Sequence, residues 1–225
     1  MPLVLSDIRL DGGDAHNHGR TVAILEFNNG SKVVYKPRDL SIHVLFADLA
    51  HECERSDDFL PLHVSRVLPE DGYAFEEFVR QSQCLTCDQV SRYYLRIGEL
   101  LALVWFLHGN DMHYENIISD GEYPQIIDYE TVCSNYVEMD SQNSLRETAD
   151  VKVARRLRDS LAGTSFLPTR MVLNAEGESI DFSALNVKDQ EVPTLFPVPV
   201  MLDTDGACFQ KQHVVFSKKD NVLSL

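Results

Sequence analysis

The chain has 225 residues, of which 44% are hydrophobic, and a formal net charge of -15 at pH 7. This length suits one domain of two lobes around a sizeable core better than two independent domains. The negative charge argues against a nucleic-acid partner gripped along the protein surface, so any bound nucleotide must be held locally, with metal ions offsetting the acids.

The N-terminus, MPLVLSDIRLDGG, lacks a basic segment followed by an apolar run, and no later segment approaches the roughly 18 apolar residues of a membrane span. We therefore expect a soluble, cytoplasmic protein with no membrane partner. The five cysteines are an odd number, so reduced thiols are expected rather than a disulfide framework. Cys84 and Cys87 form a single CxxC pair, which falls short of the four ligands of a structural zinc site.

The first eighty residues predict two β-hairpins separated by a helix. Residues 21–37 alternate between β-branched and other residues around the turn Asn28-Asn29-Gly30. Residues 66–79 form a second hairpin that turns at Glu70-Asp71-Gly72. Between them, Ser41 is expected to cap a short amphipathic helix. The apolar face of that helix is expected to contain Ile42, Leu45, Phe46 and Leu49.

A longer helix follows and leads into a third hairpin. Thr86 and Gln89 fit a capping box, and the helix is expected to end near His108. Its predicted apolar face contains Val90, Tyr94, Ile97, Leu101, Val104 and Leu107. The apolar runs NIIS and QIIDY then flank the turn Asp120-Gly121, an arrangement that brings together three polar residues near one end of the hairpin: Asp111, Asn116 and Asp128.

The last third of the chain predicts one more helix and a strand-rich tail. Val153, Leu157 and Leu161 have helical spacing, and the opposite face is rich in arginine. Residues 170–182 and 199–216 are predicted to form hairpins. The Pro-punctuated stretch VPTLFPVPV, residues 192–200, is predicted to be a connector.

The stretch HGNDMHYENIISDGEYPQIIDYET carries the chemistry expected of phosphoryl transfer. Transfer from ATP needs a lysine on the phosphates, an acid that orients the acceptor hydroxyl, and oxygen ligands for Mg²⁺. Lys36 ends a predicted strand, and Asp111 precedes Asn116 by the spacing that a kinase catalytic loop uses. Asp128 ends the next short strand, where a kinase places a metal-binding aspartate.

Each of these residues also has an ordinary structural interpretation. A single lysine at a strand end is usually a solvated surface residue, and the acids fit the rim of a solvated hairpin. The joint pattern D-x-H-x-x-N, followed by an apolar hairpin and I-I-D-x-E, favours the functional interpretation.

Three segments resemble the dehydration domain of class II (LanM-type) lanthipeptide synthetases. They are GDAHNHGRTVAILEFNNGSKVVYKPRDL, YYLRIGELLALVWFLHGNDMHYENII and PQIIDYET. The resemblance runs from about Gly13 to Leu185, and YKPR and the D-x-H-x-x-N block are its most specific parts. It implies an α+β, two-lobed protein/lipid-kinase-like fold. The strand-rich N-lobe would comprise residues 1–80, the helical C-lobe 81–163, and a hairpin-containing extension of the same domain 164–225.

The resemblance also implies a role for each site residue. Lys36 would contact ATP phosphates, and Asp111, His113 and Asn116 would form the catalytic loop. The acids Asp128 and Glu130, with Asn116, would hold Mg²⁺ for the ATP. The segment GDAHNHG points to Asp14 and His16 for phosphate elimination.

Two further site features are expected from the kinase analogy. The connector Glu77-Phe78-Val79 follows the second hairpin directly, as a kinase hinge does, so Glu77 and Val79 are expected beside the adenine. The acid that pairs with Lys36 is left open between three candidates on the first helix and just after it: Asp48, Glu52 and Glu54.

The partner implied by the resemblance is a precursor peptide, whose Ser and Thr residues are phosphorylated and then lose phosphate to become dehydroamino acids. Members of this family are far longer and carry a zinc-binding cyclase domain, so the chain is expected to be a fragment or a truncated relative. Two rival functions stay open. One is a small-molecule kinase of the aminoglycoside phosphotransferase type, and the other is a non-catalytic module that binds a peptide.

Overall fold

A computed structural model of the chain describes residues 2–10, 20–134, 149–174, 177–186, 189–194, 196–202 and 206–216. It contains both helices and antiparallel sheets, which confirms the expected α+β class. No helix in the described ranges combines the length and the apolar character needed to cross a membrane.

The first eighty residues form a five-stranded antiparallel sheet in the order β1-β2-β3-β5-β4. Its strands are β1 (Leu5–Leu10), β2 (Ala23–Phe27), β3 (Lys32–Lys36), β4 (Val67–Glu70) and β5 (Tyr73–Glu77). Both predicted hairpins are confirmed, and their turns contain Gly30 at φ +80° and Gly72 at φ +77°, where a residue without Cβ is least strained. The edge strand β1 was not predicted, because its short LSDIRL pattern is exposed along its whole length.

Helix α1 (Ser41–Cys53) lies between β3 and β4 in the chain. The prediction that Ser41 caps it is wrong, because Ser41 is the first helical residue and its N–H donates to Asp39 Oδ1 at 2.7 Å. The predicted apolar face is also partly wrong. Leu45 is 52% exposed, whereas the polar His43 is buried beside Phe46.

Helix α2 (Cys87–Phe106) begins as its capping residues predict. Thr86 Oγ1 accepts from Gln89 N at 3.2 Å, but the Gln89 side chain accepts from Leu85 N rather than from Thr86 N. Tyr94, expected inside, is 49% exposed. The buried face of the helix differs from the predicted one and includes the charged Arg96. Its residues are Tyr93, Arg96, Ile97, Leu100, Leu103 and Val104.

The predicted third hairpin forms from β6 (Ile117–Asp120) and β7 (Tyr123–Ile126). Arg96 of α2 contacts this hairpin. Its guanidinium donates to Glu122 Oε2 at 2.8 Å and stacks 4.1 Å from the ring centre of Tyr123. Hydrogen bonds from Arg92, followed by those from Arg96, lower the pKa of Glu122 to about 2. The hairpin turn is therefore held to the helix by a charged group that stays ionised over the physiological range.

Helix α3 (Ala149–Arg158) and the strands of the tail complete the described chain. The predicted helix is confirmed, although Val153 and Leu157 are more than half exposed. The tail strands are β8 (Arg170–Val172), β9 (Ser179–Asp181), β10 (Gln190–Pro193), β11 (Val198–Val200), β12 (Cys208–Gln210) and β13 (His213–Phe216). They pair as β8 with β9, β11 with β12, and β10 with β13. The hairpin predicted over residues 170–182 forms as β8 and β9. The one predicted over residues 199–216 forms only in part, because β12 pairs with β11 whereas β13 pairs with β10. Residues 192–200 are not a plain connector, because both ends belong to strands.

The first part of the tail packs against the loop that follows α2. Met112 N donates to Thr164 O at 2.9 Å and Tyr114 N donates to Phe182 O at 3.0 Å. Phe166 is 0% exposed and belongs to the main core cluster. The tail therefore accepts backbone hydrogen bonds from the D-x-H-x-x-N loop, and its Phe166 ring fills part of the core beside that loop.

Truncating Phe166 tests this packing. We expect Phe166→Ala to lower the free energy of unfolding by about 3–5 kcal/mol, because a fully buried ring is lost and leaves a cavity. Phe106, which is 70% exposed at the end of α2, provides the matched control, and Phe106→Ala should change stability by about 0.5 kcal/mol or less. Urea unfolding measures both values, and similar losses in the two variants would contradict the burial of Phe166 in the core.

Candidate functional site

A cleft of about 740 Å³ lies between the five-stranded sheet and the loop that follows α2. Its volume falls within the range of ordinary small-ligand sites. The lining residues come from the sheet, from the connector after β5, and from both ends of the β6–β7 hairpin. The polar ones are Lys36, Arg38, Glu76, Glu77, Asp111, His113, Glu115, Asn116, Asp128, Glu130 and Thr131.

Lys36 is buried at the inner end of this cleft and pairs with Glu76. The two side chains are 9% and 2% exposed, and Nζ contacts Glu76 Oε2 as well as the carbonyl oxygen of Ile127. In the β3–β5 register Lys36 lies opposite Ala74, two positions from Glu76. Side chains two apart on a strand share a face, so Glu76 reaches the lysine diagonally from the neighbouring strand.

None of the three acids expected to pair with Lys36 does so. Asp48 is exposed on α1, and Glu52 pairs with Arg55. Glu54 Oε1 accepts from Leu62 N at 2.8 Å. The strand alternation in YAFEE, which puts Glu76 on the same face as the small Ala74, was the signal that could have indicated the correct acid.

A buried polar network supports Glu76. Ser65 Oγ donates to Glu76 Oε1 at 2.6 Å, and His43 Nδ1 lies 3.8 Å from the same oxygen. The His43 ring also packs 4.3 Å from the ring of Tyr129. Burial lowers the pKa of His43, although the nearby Glu76 carboxylate acts in the opposite direction. The imidazole is therefore neutral at physiological pH.

The loop from His108 to Asn116 has a constrained backbone. His108 and Asp111 have φ values of 52° and 60°, a left-handed conformation that aspartate tolerates better than most residues. Asn116 Nδ2 donates to the carbonyl oxygen of Asp111 at 2.9 Å, and Thr131 Oγ1 donates to that of Asn110. These bonds fix the loop so that the Asp111 side chain, 59% exposed, lies at the cleft.

His113 adjoins Asp111 on the same loop. Its Nδ1 accepts from Glu115 N at 3.3 Å, so the proton of the neutral ring lies on Nε2. Nε2 is 4.0 Å from Asp111 Oδ1. The ring therefore presents a donor towards the Asp111 carboxylate.

Asp128 and Glu130 flank the buried Tyr129 just after β7, and Glu130 N donates to Asp128 Oδ1 at 3.1 Å. Both contact Arg38. Its Nη2 is 2.8 Å from Asp128 Oδ1, and its Nη1 contacts Glu130 Oε2. Sequence reasoning did not single out Arg38, although it stands two residues after Lys36 in the motif YKPR.

The oxygen atoms here suit Mg²⁺, which prefers carboxylate and carbonyl ligands. Because Asn116 uses its amide nitrogen on the loop, its side-chain oxygen is the atom left for a cation, beside Asp128 and Glu130. Among the described residues no three His, Cys, Asp or Glu side chains converge as ligands. Mg²⁺ commonly completes its shell with water and substrate phosphates, so this donor set fits a cation that binds together with a nucleotide.

The connector after β5 forms another edge of the cleft. Val79 is 8% exposed, while the Glu77 carboxylate is held by Arg66 through bonds of 3.0 and 3.1 Å. Those bonds lower the pKa of Glu77. Any contact of Glu77 with a ligand in the cleft is therefore expected from its backbone. Asp14 and His16 lie outside the described residues.

Comparison with known proteins supports the resemblance seen in the motifs. Residues 2–225 match the family described as Domain of unknown function (DUF4135). The chain belongs to this family. It is also 30% identical over 165 residues to the lacticin 481/lactococcin biosynthesis protein LcnDR2 of Lactococcus lactis subsp. lactis. The match covers 69% of this chain and 17% of the relative, so the chain spans less than a fifth of that protein. The resemblance to class II lanthipeptide synthetases is thereby confirmed.

The buried His43 of this DUF4135 chain makes a pH dependence testable. Its pKa is lowered in the folded state, whereas the unfolded chain takes up the proton near pH 6.5. The free energy of unfolding should therefore fall as the pH drops below about 6.5, by at most about 1.4 kcal/mol per pH unit from this group.

Replacing the imidazole should flatten that dependence. We expect His43→Gln to lose less stability than the wild type between pH 7.5 and 5.5 in urea unfolding. His51→Gln is the control, because this histidine is 80% exposed on the same helix, and it should keep the wild-type slope. An equal slope in His43→Gln and the wild type would show that His43 is not held neutral.

Proposed function

We propose that the chain carries the phosphorylating part of a lanthipeptide dehydration domain, which transfers the γ-phosphoryl group of Mg-ATP to Ser or Thr of a precursor peptide. The supporting observation is that Lys36, Asp111, Asn116, Asp128 and Glu130 line one cleft. The family match adds weight, since the relative is named for lacticin 481 and lactococcin biosynthesis.

In the transfer step, the acceptor hydroxyl oxygen forms a bond to the γ-phosphorus while the bond to the β-phosphate oxygen breaks and ADP leaves. Asp111 orients the hydroxyl and accepts its proton. His113 Nε2 lies 4.0 Å from Asp111 Oδ1, beyond hydrogen-bond distance, so the ring adjoins the carboxylate without fixing its orientation. Asp111 is well placed for this task because it is exposed on a loop whose backbone is fixed.

Lys36 and the cation ligands bind the other substrate. Lys36 supplies a positive charge to the phosphates from the buried end of the cleft. Asn116, Asp128 and Glu130 would hold the Mg²⁺, which would neutralise negative charge on the phosphate oxygens. The adenine lies along the connector from Glu77 to Val79.

This assignment corresponds to a two-lobed, kinase-like arrangement. The five-stranded sheet with α1 acts as the strand-rich lobe, and α2 with the β6–β7 hairpin acts as the core of the helical lobe. The acid partner of Lys36 then differs from the helix acid of a protein kinase, because Glu76 belongs to a strand.

After phosphorylation, elimination removes a Cα proton and expels phosphate, which leaves a Cα=Cβ double bond. We assign Asp14 and His16 to this step on the basis of the sequence segment GDAHNHG. Histidine suits it because an unperturbed pKa near 6.5 lets the ring act close to neutrality.

The two rival functions have less support. The relative is named for lacticin 481 and lactococcin biosynthesis, and together with the resemblance to lanthipeptide synthetases this favours a peptide over a small-molecule acceptor. A non-catalytic peptide-binding module would need neither a buried lysine–glutamate pair nor an exposed aspartate held in the left-handed backbone conformation. Incubation with Mg-ATP and a Ser/Thr-rich precursor peptide, followed by mass spectrometry, separates the three functions.

Substitutions at two aspartates test the separate roles. Asparagine also tolerates the left-handed conformation of residue 111, so Asp111→Asn should fold normally. We expect it to lower the rate of peptide phosphorylation by about 10²–10⁴-fold, because a general base is lost. Its affinity for Mg-ATP, measured by calorimetry, should stay close to that of the wild type.

Asp128→Asn should behave differently. Loss of a charged cation ligand should weaken Mg-ATP binding by about tenfold or more, in line with the strength of charge-assisted bonds. Asp57→Asn, at an exposed position outside the cleft, should change neither property. If Asp111→Asn and Asp128→Asn lost nucleotide affinity equally, the assigned roles would be wrong.

A second pair of substitutions addresses elimination. In a chain that carries the complete dehydration domain, Asp14→Ala and His16→Ala should still phosphorylate the precursor peptide but accumulate phosphopeptide instead of dehydrated peptide. Mass spectrometry distinguishes a gain of phosphate from a loss of water. Normal dehydration in both variants, or failure of phosphorylation itself, would exclude these residues from the elimination step.

A further inference from the structure

Arg38 bridges the two acids to which the cation is assigned. Nη2 of its guanidinium lies 2.8 Å from Asp128 Oδ1, and Nη1 contacts Glu130 Oε2. The planar, forked guanidinium is well suited to contact two carboxylates at once. A positive side chain therefore lies where the proposed function requires a divalent cation.

The contacts of Arg38 leave part of the side chain unsatisfied. The side chain is 14% exposed, and within the described ranges its buried Nε has no hydrogen-bond partner. An unsatisfied buried donor costs about 1–3 kcal/mol. A permanent structural arginine is expected to use all of its donors, so this arrangement suits a side chain that also has another position.

The backbone on both sides of Arg38 is anchored. Pro37 is buried and its ring fixes φ, and Leu40 is 4% exposed. The main chain at residue 38 is therefore held in place. The long side chain can still move by changing rotamers, without any rearrangement of the sheet.

The excess of negative charge in the cleft is a reason for the Arg38 side chain to move when a nucleotide binds. Among the described lining residues, two side chains are basic, Lys36 and Arg38, and six are acidic, namely Glu76, Glu77, Asp111, Glu115, Asp128 and Glu130. Glu76 and Glu77 are paired with Lys36 and Arg66. A triphosphate entering this cleft would be repelled unless positive charge were added or freed.

We propose that Arg38 is an internal counter-ion of Asp128 and Glu130. A divalent cation displaces its guanidinium from these carboxylates, and the guanidinium then contacts the nucleotide phosphates. This inference rests on the proposed function. Before a cation binds, Arg38 keeps Asp128 and Glu130 together and limits their repulsion. When a cation binds these acids, the guanidinium is released within reach of the cleft, where it offsets phosphate charge.

The proposal requires opposite effects on two affinities. In Arg38→Gln the competing positive charge is gone, so the chain without nucleotide should bind Mn²⁺ about tenfold more tightly, as followed by electron paramagnetic resonance. The same variant should bind ATP at saturating Mg²⁺ about tenfold more weakly by calorimetry, because a phosphate contact is lost. Arg38→Lys keeps one charge but not the fork and should shift both affinities in the same directions by a smaller factor.

Arg55→Gln is the matched control, since Arg55 is 74% exposed in a surface pair with Glu52 and should leave both affinities unchanged. A simple structural anchor would instead weaken both affinities in Arg38→Gln and lower its thermal unfolding midpoint. Affinities that move in the same direction, or not at all, overturn the role of Arg38 while the proposed function stands. If Arg38→Gln does not fold, Arg38→Lys is judged by the same criterion. A wild-type chain that binds neither Mn²⁺ nor Mg-ATP overturns the proposed function and this inference together.

Discussion

The ion pair between Lys36 and Glu76 is the interaction on which the rest of the site depends. Both side chains lie almost entirely out of water, where an unpaired charge costs several kcal/mol. β3 and β5 must therefore be neighbours in one register, and Ser65 and His43 must lie against the carboxylate. The carbonyl oxygen of Ile127 must also approach the lysine. One electrostatic requirement thus holds together the sheet, α1 and the segment that begins at Ile127.

Local patterns predicted the local elements well. Turn glycines and strand alternation identified the hairpins around Gly30 and Gly72, and the Thr86 cap identified the start of α2. Motif spacing also predicted that Asp111, Asn116 and Asp128 meet, and the structure brings them to one cleft. These features depend on short stretches of chain, within which residue preferences and periodicity act directly.

The errors concern contacts between distant segments. The partner of Lys36 was sought on α1 and just after it, but the β3–β5 pairing supplies Glu76. The alternation in YAFEE gives the face of Glu76 but does not report which strand lies beside it. Helix faces were misjudged where polar side chains are buried, as with His43 and Arg96, because hydrophobic periodicity cannot recognise a polar group that finds its partner elsewhere in the fold. The bridge from Arg38 to Asp128 spans 90 positions of the chain for the same reason.

The backbone bonds from Met112 to Thr164 and from Tyr114 to Phe182 have a consequence for how the protein is made. A ribosome delivers the chain from its N-terminus, so the loop around Asp111 emerges well before the residues that support it. Contacts of such sequence separation form late and slow the folding of a domain. The sheet and α2 can assemble early, whereas the loop takes its final shape only after β9 has been synthesised. A nascent chain thus acquires the backbone geometry around Asp111 as one of the last events of folding.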